Sequence, residues 1–200
     1  MKQKIITTSK KLAHIGLFAA LCASGVLAAP IVKRAIVGSI ETVDKTAKTV
    51  AVKIANGTME TVKWTGKTTV RGLKDGAKAA DFAGHEGSHV IVHYTVKGTE
   101  KTADAFEYLG RETPKVMEGT IKATDRGART VVVKTGEGVE ETLDLSEHAV
   151  VDSGKGIVDA AKFTAKETKE GTKATEEGAK VTVHYTEEGE RKIAHFIKHL

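Results

Sequence analysis

The sequence predicts a mainly β protein that consists of two small barrels in tandem. A six-residue motif of the form Val-x-Val-His-Tyr-Thr occurs at Val90–Thr95 and again at Val181–Thr186, with five of the six positions identical. A longer match relates Gly38–Lys53 to Gly119–Lys134, where eight of sixteen positions are identical at a constant offset of 81 residues. Average composition gives about one identity by chance over that length. The chain therefore contains a duplicated unit.

Within each copy the apolar residues alternate along the chain, which is typical of half-buried strands. Thr49–Ile54 shows this alternation most clearly. Asn56–Gly57 follows as a hairpin signal, because both residue types tolerate a positive φ. The chain then returns as a second strand at Thr58–Thr65, and Gly136–Gly138 marks the same turn in the second copy.

A helical turn is predicted between the third and fourth strands of each copy. A short segment around Val70 is followed by an alanine-rich stretch that ends at Phe82, and the matching stretch ends at Phe163. The strand with the repeated motif and one further strand follow. Three strands, a helical turn and two strands make the order of an OB-like five-stranded Greek-key barrel. An SH3-like barrel is the alternative, because the turn in the first copy is short.

We place the first barrel at residues 34–108, a linker at 109–114 and the second barrel at 115–200. The offset between the copies grows from 81 to 91 after Phe163, so the second copy has ten additional residues. This insertion, near residues 164–177, is charged and poor in large apolar groups, which predicts a longer solvated helix or a loop. Units of this size bury only about 60 to 65% of their unfolded surface, so the barrels should pack on each other.

The first residues have the form of an export signal. Residues 1–11 contain four lysines and no acid, residues 15–27 are apolar or small, and small residues precede Ala29 as a cleavage site. The apolar run is shorter than the roughly 20 residues that span a bilayer. We therefore predict a signal peptide at residues 1–28 and an exported protein, periplasmic or secreted, with no stable membrane span after cleavage.

Loss of the signal peptide changes the composition. The segment contains four of the 31 basic residues, none of the 26 acidic residues and the single cysteine, Cys22. The rest of the chain has a net charge of about +1, which disfavours nucleic acid as a partner. It also has no disulfide, no thiol nucleophile and no thiolate metal ligand.

The motifs of both copies resemble those of small β-barrel domains that occur, often in tandem, in uncharacterised exported bacterial proteins. The resemblance is carried by Gly-x-Ile from residues 38 and 119, Thr-Val-x-Val from 49 and 130, Ala-Ala-x-Phe from 79 and 160, and the Val-x-Val-His-Tyr-Thr motif. It covers nearly the whole chain after the signal peptide. The resemblance implies an OB-like fold and offers no active-site residues to carry over.

Four histidines are the candidate metal ligands, because neutral imidazole binds zinc, copper and nickel. They are His85, His89, His93 and His184. Alternation directs Val90 and Val92 to the core, so His93, and likewise His184 in the second copy, should lie on the outward face. An outward histidine on a strand is more often solvated or packed on a neighbouring strand. We therefore predict no cofactor, with a divalent transition metal as the alternative.

Two other patterns have structural alternatives. His195 and His199 have the i,i+4 spacing of a zinc site if their segment is helical, but the match to the first copy favours a strand. Trp64 could stack bases or sugars on an OB-like face, but Leu145 at the equivalent position favours packing in the core.

No catalytic signature is present, since no serine after residue 28 lies in a Gly-x-Ser-x-Gly motif. We expect a non-catalytic exported module that binds an envelope protein or polymer through its outward strand faces and loops. The alternatives are a periplasmic protein that binds metal through surface histidines, and a barrel that binds oligosaccharide or nucleic acid. We expect a monomer or a weak oligomer, and two barrels that engage one extended partner would gain avidity.

Overall fold

The computed structural model describes residues 31–160 and 177–200. The predicted signal peptide and all but the last residue of the predicted insertion lie outside these ranges. The described residues form twelve β-strands and one 3₁₀ turn, which confirms the mainly β prediction. Within the same ranges, no helix has the length and hydropathy needed to cross a membrane.

Barrel 1 contains six strands and the 3₁₀ turn. They are β1 (Val32–Asp44), β2 (Thr49–Ile54), β3 (Met59–Lys63), β4 (Thr69–Arg71), the turn (Ala79–Phe82), β5 (His89–Lys97) and β6 (Glu100–Gly110). Barrel 2 contains the other six strands. They are β7 (Lys115–Asp125), β8 (Thr130–Thr135), β9 (Glu140–Asp152), β10 (Ile157–Asp159), β11 (Lys180–Glu188) and β12 (Arg191–His199).

Strand pairing closes each half of the chain. The order around barrel 1 is β1, β2, β3, β6, β5 and back to β1, with β4 beside β6. The closing pair of β3 and β6 is parallel and short, with Lys63 opposite Thr102. In barrel 2 the equivalent parallel pair, β9 with β12, is longer. All other neighbours in the two circuits are antiparallel, so each half is a five-stranded OB-like barrel.

The motifs shared by the copies have structural causes. A Cβ on Gly38 would lie 2.4 Å from the carbonyl oxygen of Lys53, and one on Gly119 would lie 2.5 Å from that of Lys134, so neither position can hold a side chain without a shift. The aspartate that ends this motif accepts backbone hydrogen bonds in the following turn, for example from Ala47 to Asp44 Oδ1 at 2.8 Å. The motif is therefore a structural one.

The apolar faces predicted by alternation form the barrel cores. In barrel 1 the rings of Phe82 and Phe106 meet at 5.3 Å between centroids. Trp64 is 8% exposed in this core, which rules it out as a stacking surface. Leu145 is buried at the equivalent position in barrel 2, as the packing interpretation predicts.

Arg191–His199 is a strand, as the match to the first copy predicts, so the helical zinc spacing of His195 and His199 does not exist. One local prediction differs from the structure. The order of three strands before the helical turn predicts two separate segments in the second copy, where β9 runs without a break from Glu140 to Asp152. In barrel 1 the corresponding chain breaks at Gly66, after which Thr68 Oγ1 accepts the Thr65 backbone N–H at 2.9 Å.

The two barrels pack on each other through an apolar cluster. Ala35 and Ile91 of barrel 1 meet Val150 and Phe196 of barrel 2, and all four are buried. At the edge of this cluster the Arg34 guanidinium donates to the carbonyl oxygen of Gly154 at 2.9 Å. Small barrels gain buried apolar surface in this way.

Candidate functional site

A trough runs along the junction of the barrels. It consists of two adjoining cavities of about 350 and 280 Å³. Barrel 1 contributes residues 35–37 of β1 and the hairpin residues 54–57, while barrel 2 contributes Val116, His184 and Phe196. The linker adds residues 113–114. The trough therefore exists only when the two barrels are packed together.

One wall of the trough is an open strand edge. β1 pairs with β5 over Val32–Ser39, whereas β2 pairs with β1 only from Gly38 onward. Residues 32–37 thus have a sheet neighbour on one side only within the described part of the chain. A segment of barrel 2 lies near the start of this edge, where a Cβ on Gly156 would be 3.5 Å from the Lys33 carbonyl oxygen. The backbone groups of an open edge can pair with an added strand.

The structure separates the four histidines that the sequence identifies as candidate ligands. His89 and His184 line the same part of the trough. His93 is 7% exposed and does not line it. His85 packs against Tyr108, with 5.5 Å between the ring centroids. Across residues 31–160 and 177–200, no three His, Cys, Asp or Glu side chains form a group that could hold a metal ion.

His93 and His184 point away from the core of their own barrel, as predicted. Neither side chain is fully solvated, because the other barrel or a neighbouring side chain covers it. His93 shares its strand face with Ile91, which belongs to the inter-barrel cluster, so barrel 2 shields it from water. His184 is half-buried, and its ring lies 5.6 Å from that of Phe196. Phe196 corresponds to Ala105 in the first copy. The sequence contained one signal for the contact between His184 and Phe196: a large apolar residue occupies this outward position in the second copy only.

Burial lowers the pKa of three of these histidines below the ordinary value of 6.5. Desolvation is the main cause in each case. For His93 the nearby Glu107 acts in the opposite direction, and for His89 a hydrogen bond to the Arg111 backbone does so. The neutral ring of His184 is favoured in the same way. Neutral imidazole is the form that binds metals and accepts hydrogen bonds.

A buried network of hydrogen-bonded side chains also crosses the junction, and the sequence does not reveal it. His195 Nδ1 in barrel 2 lies 2.9 Å from Glu107 Oε1 in barrel 1, and His195 Nε2 lies 2.8 Å from Thr186 Oγ1. Because a carboxylate only accepts, Nδ1 is the donor. The Glu107 and His195 side chains are 10% and 12% exposed. An acid on an outward strand face is expected to be solvated, and only the position of the other barrel changes that expectation.

No protein-family model matches the chain, and no curated protein matches it. Solved structures give a distant likeness. A crystal structure of Ag(I)-bound CusF aligns with a TM-score of 0.30 and 11% identity, covering 44% of this chain and 100% of that one. Apo-CusF from Escherichia coli aligns with a TM-score of 0.28 and 14% identity, covering 46% of this chain and 95% of that one. These likenesses are too low to carry an argument about function.

The lowered histidine pKa values predict a loss of stability in acid. Between each folded pKa and 6.5 the unfolded chain binds more protons than the folded protein. The stabilising contribution of neutral His89, His93 and His184 is therefore complete above pH 6.5 and is lost as the pH falls through that value toward the folded pKa values. Urea unfolding should give a lower midpoint at about pH 5.5 than at about pH 7.5.

Two variants test whether His93 contributes to this pH dependence of stability. His93→Gln should reduce the difference between the two midpoints, whereas Val90→Ala should lower both midpoints and keep the difference. A difference that is unchanged in His93→Gln would show that His93 is not a source of the pH dependence. Other charges act on His93 as well: Asp104 raises its pKa with Glu107, and Arg71 and His148 lower it.

Proposed function

We propose that this chain is an exported, non-catalytic binding protein that holds an extended polypeptide segment of an envelope partner in the inter-barrel trough. The open edge of β1 inside the trough is the observation that carries the proposal. A ligand strand pairs with this edge through backbone hydrogen bonds, while its alternate side chains enter the trough. Such binding requires no catalytic group.

The charges around the trough support a neutral, largely apolar segment. Glu41 and Lys53 lie 3.9 Å apart, and Asp152 lies 3.6 Å from Arg34, so these charges compensate each other. Lys198 adds one exposed positive charge. Nucleic acids and acidic polysaccharides bind through several cationic contacts. A polypeptide is therefore the better-supported ligand.

Filling the trough tests this proposal. Ala55 is exposed and lines both parts of the trough, so Ala55→Trp should block it and leave both cores intact. Peptides without charged residues, selected from a display library against the full chain, should lose at least roughly tenfold in affinity, about 1.4 kcal/mol. Gly136→Trp, at the equivalent hairpin of barrel 2, is the matched control and should leave their affinity unchanged. A library that yields no binder, or binders that tolerate Ala55→Trp, would contradict the proposal.

His89 and His184 support a second candidate function, the binding of a transition metal. Both line the trough, burial favours the neutral ring of each, and His89 Nδ1 is buried with no hydrogen-bond partner in the described part of the chain. A metal salt at 100 times its dissociation constant should add about 2.7 kcal/mol to stability. The resulting rise in melting temperature should disappear in the His89→Ala/His184→Ala variant and persist in His85→Ala. No rise with zinc, copper or nickel would exclude this candidate.

A further inference from the structure

Barrel 2 has a groove that matches the barrel 1 wall of the trough position by position. Its lining includes Val116–Glu118 and Thr135–Glu137, which follow Ala35–Val37 and Ile54–Asn56 at the offset of 81 residues. The cavity has a volume of about 410 Å³. Both grooves therefore combine the first part of a long strand with the neighbouring hairpin.

The edge of β7 in this groove is open for the same reason as the edge of β1. β11 pairs with β7 over Lys115–Thr120, whereas β8 pairs with it only from Gly119 onward. Two apolar side chains flank the open part: Val116 is 53% exposed and Val139 is 50% exposed. Ala35, the counterpart of Val116, is buried under barrel 2. The barrel 2 edge thus has the same construction, without the cover that barrel 1 has.

Barrel 1 provides a precedent for the occupant. The start of its open edge lies against a polypeptide segment of barrel 2: Gly154 accepts a hydrogen bond from Arg34, and Ile157 packs against the inter-barrel cluster. A polypeptide segment therefore lies against the start of this edge, through a side-chain hydrogen bond and an apolar contact. A bound strand would add backbone pairing along the open part of such an edge.

A second copy of the chain does not fit the barrel 2 groove in this way. The covering residues Val150, Ile157 and Phe196 correspond to Thr69, Gly76 and Ala105 in barrel 1. These differences remove the apolar side chains that a head-to-tail repeat of the contact would need. A head-to-tail repeat of the contact between the barrels is therefore not the occupant.

The charge of the groove narrows the choice of polypeptide. Val37 and Asn56 of barrel 1 are replaced by Glu118 and Glu137, which are exposed and form no ion pair with the described residues. Two of the neighbouring lysines are held by other acids, in the pairs Lys115–Glu187 and Lys192–Glu141, each at 2.5 Å. The barrel 2 groove therefore favours a positively charged segment.

We propose that the edge of β7 is a second strand-addition site, selective for an extended peptide in which lysine or arginine alternates with apolar residues. The inference rests on the proposed function, because both sites bind by the same mode. Side chains alternate between the two faces of an added strand, so its basic residues share one face and meet Glu118 and Glu137. Its apolar residues lie on the opposite face, toward Met117 and Tyr185 of the groove. A partner long enough to occupy both sites binds more tightly than either segment alone.

Two peptides of seven residues test this site on the full chain, one alternating valine with lysine and the other valine with glutamate. The lysine peptide should shift the backbone amide resonances of residues 115–118 in an NMR titration. At low salt it should bind at least roughly tenfold more tightly than the glutamate peptide. Gly136→Trp should abolish its binding, and Ala55→Trp should leave it unchanged.

Charge reversal provides an independent test, because both acids are exposed and their replacement leaves the core intact. Glu118→Lys/Glu137→Lys should reverse the preference between the two peptides. Equal binding of both peptides, or a preference that survives the reversal, overturns the second site. If Gly136→Trp has no effect while Ala55→Trp still blocks neutral peptides, the second site alone fails. If Ala55→Trp has no effect on neutral peptides while Gly136→Trp still blocks the lysine peptide, the trough site alone fails.

Discussion

Phe196→Ala should lower the free energy of unfolding by about 3 kcal/mol and split the unfolding of the chain into two transitions. The ring packs with Ala35, Ile91 and Val150 between the barrels, and His184 rests beside it. Its removal leaves a cavity in the contact that couples the barrels, so each barrel can then unfold by itself. Differential scanning calorimetry measures both the loss and the splitting.

Two variants control for a general loss of stability. Phe196→Leu keeps most of the volume and should cost less than about 1.5 kcal/mol. Val139→Ala removes an apolar side chain from the surface and should change stability by no more than about 0.5 kcal/mol. A single transition with an unchanged midpoint in Phe196→Ala would contradict the proposed contact between the barrels.

Glu107→Ala should cost about 2 to 3 kcal/mol, because it leaves the Nδ1 of His195 buried without its acceptor. The effects of Glu107→Ala and His195→Ala should be less than additive. We expect a coupling free energy of about 1 to 2 kcal/mol from the double-mutant cycle, measured by urea unfolding. This cycle isolates the contribution of one hydrogen bond across the barrel junction.

An exposed ion pair within barrel 2 is the matched control. Arg191 and Asp144 lie 2.8 Å apart, and the arginine side chain is 66% exposed, so their coupling should stay below about 1 kcal/mol. If the Glu107 and His195 effects add without coupling, the two side chains do not interact across the junction. A larger coupling in the exposed pair would also contradict the role assigned to burial.

The sequence predicts the barrels because their signals are local and occur twice. The alternation in Thr49–Ile54 positions a strand, Asn56–Gly57 positions its hairpin, and the second copy repeats both. In the structure Gly57 has a φ of 83° and its counterpart Gly138 a φ of 86°, as a turn glycine requires. The 3₁₀ turn that ends at Phe82 also lies where the alanine-rich stretch predicts it.

The candidate site was less accessible to sequence reasoning, because it depends on how one barrel meets the other. Alternation shows that the side chains of His93 and Glu107 point away from the core of barrel 1, but it contains no information on what covers them. The open edge of β1 arises from a difference in length between two paired strands, and strand ends are poorly marked in the sequence. His89 and His184 were both candidates, but only the packing of the barrels brings them to one trough.

The packing of the two barrels, on which the trough depends, is tested most directly by NMR distance restraints in the full chain. Methyl and aromatic labelling should give nuclear Overhauser contacts that link Ala35 or Ile91 of barrel 1 to Val150 or Phe196 of barrel 2. We expect these contacts to be present, and we expect Ala55→Trp to block the trough and weaken peptide binding. Complete absence of contacts between the barrels, with intact contacts inside each one, would mean that the barrels are independent and that the trough does not exist.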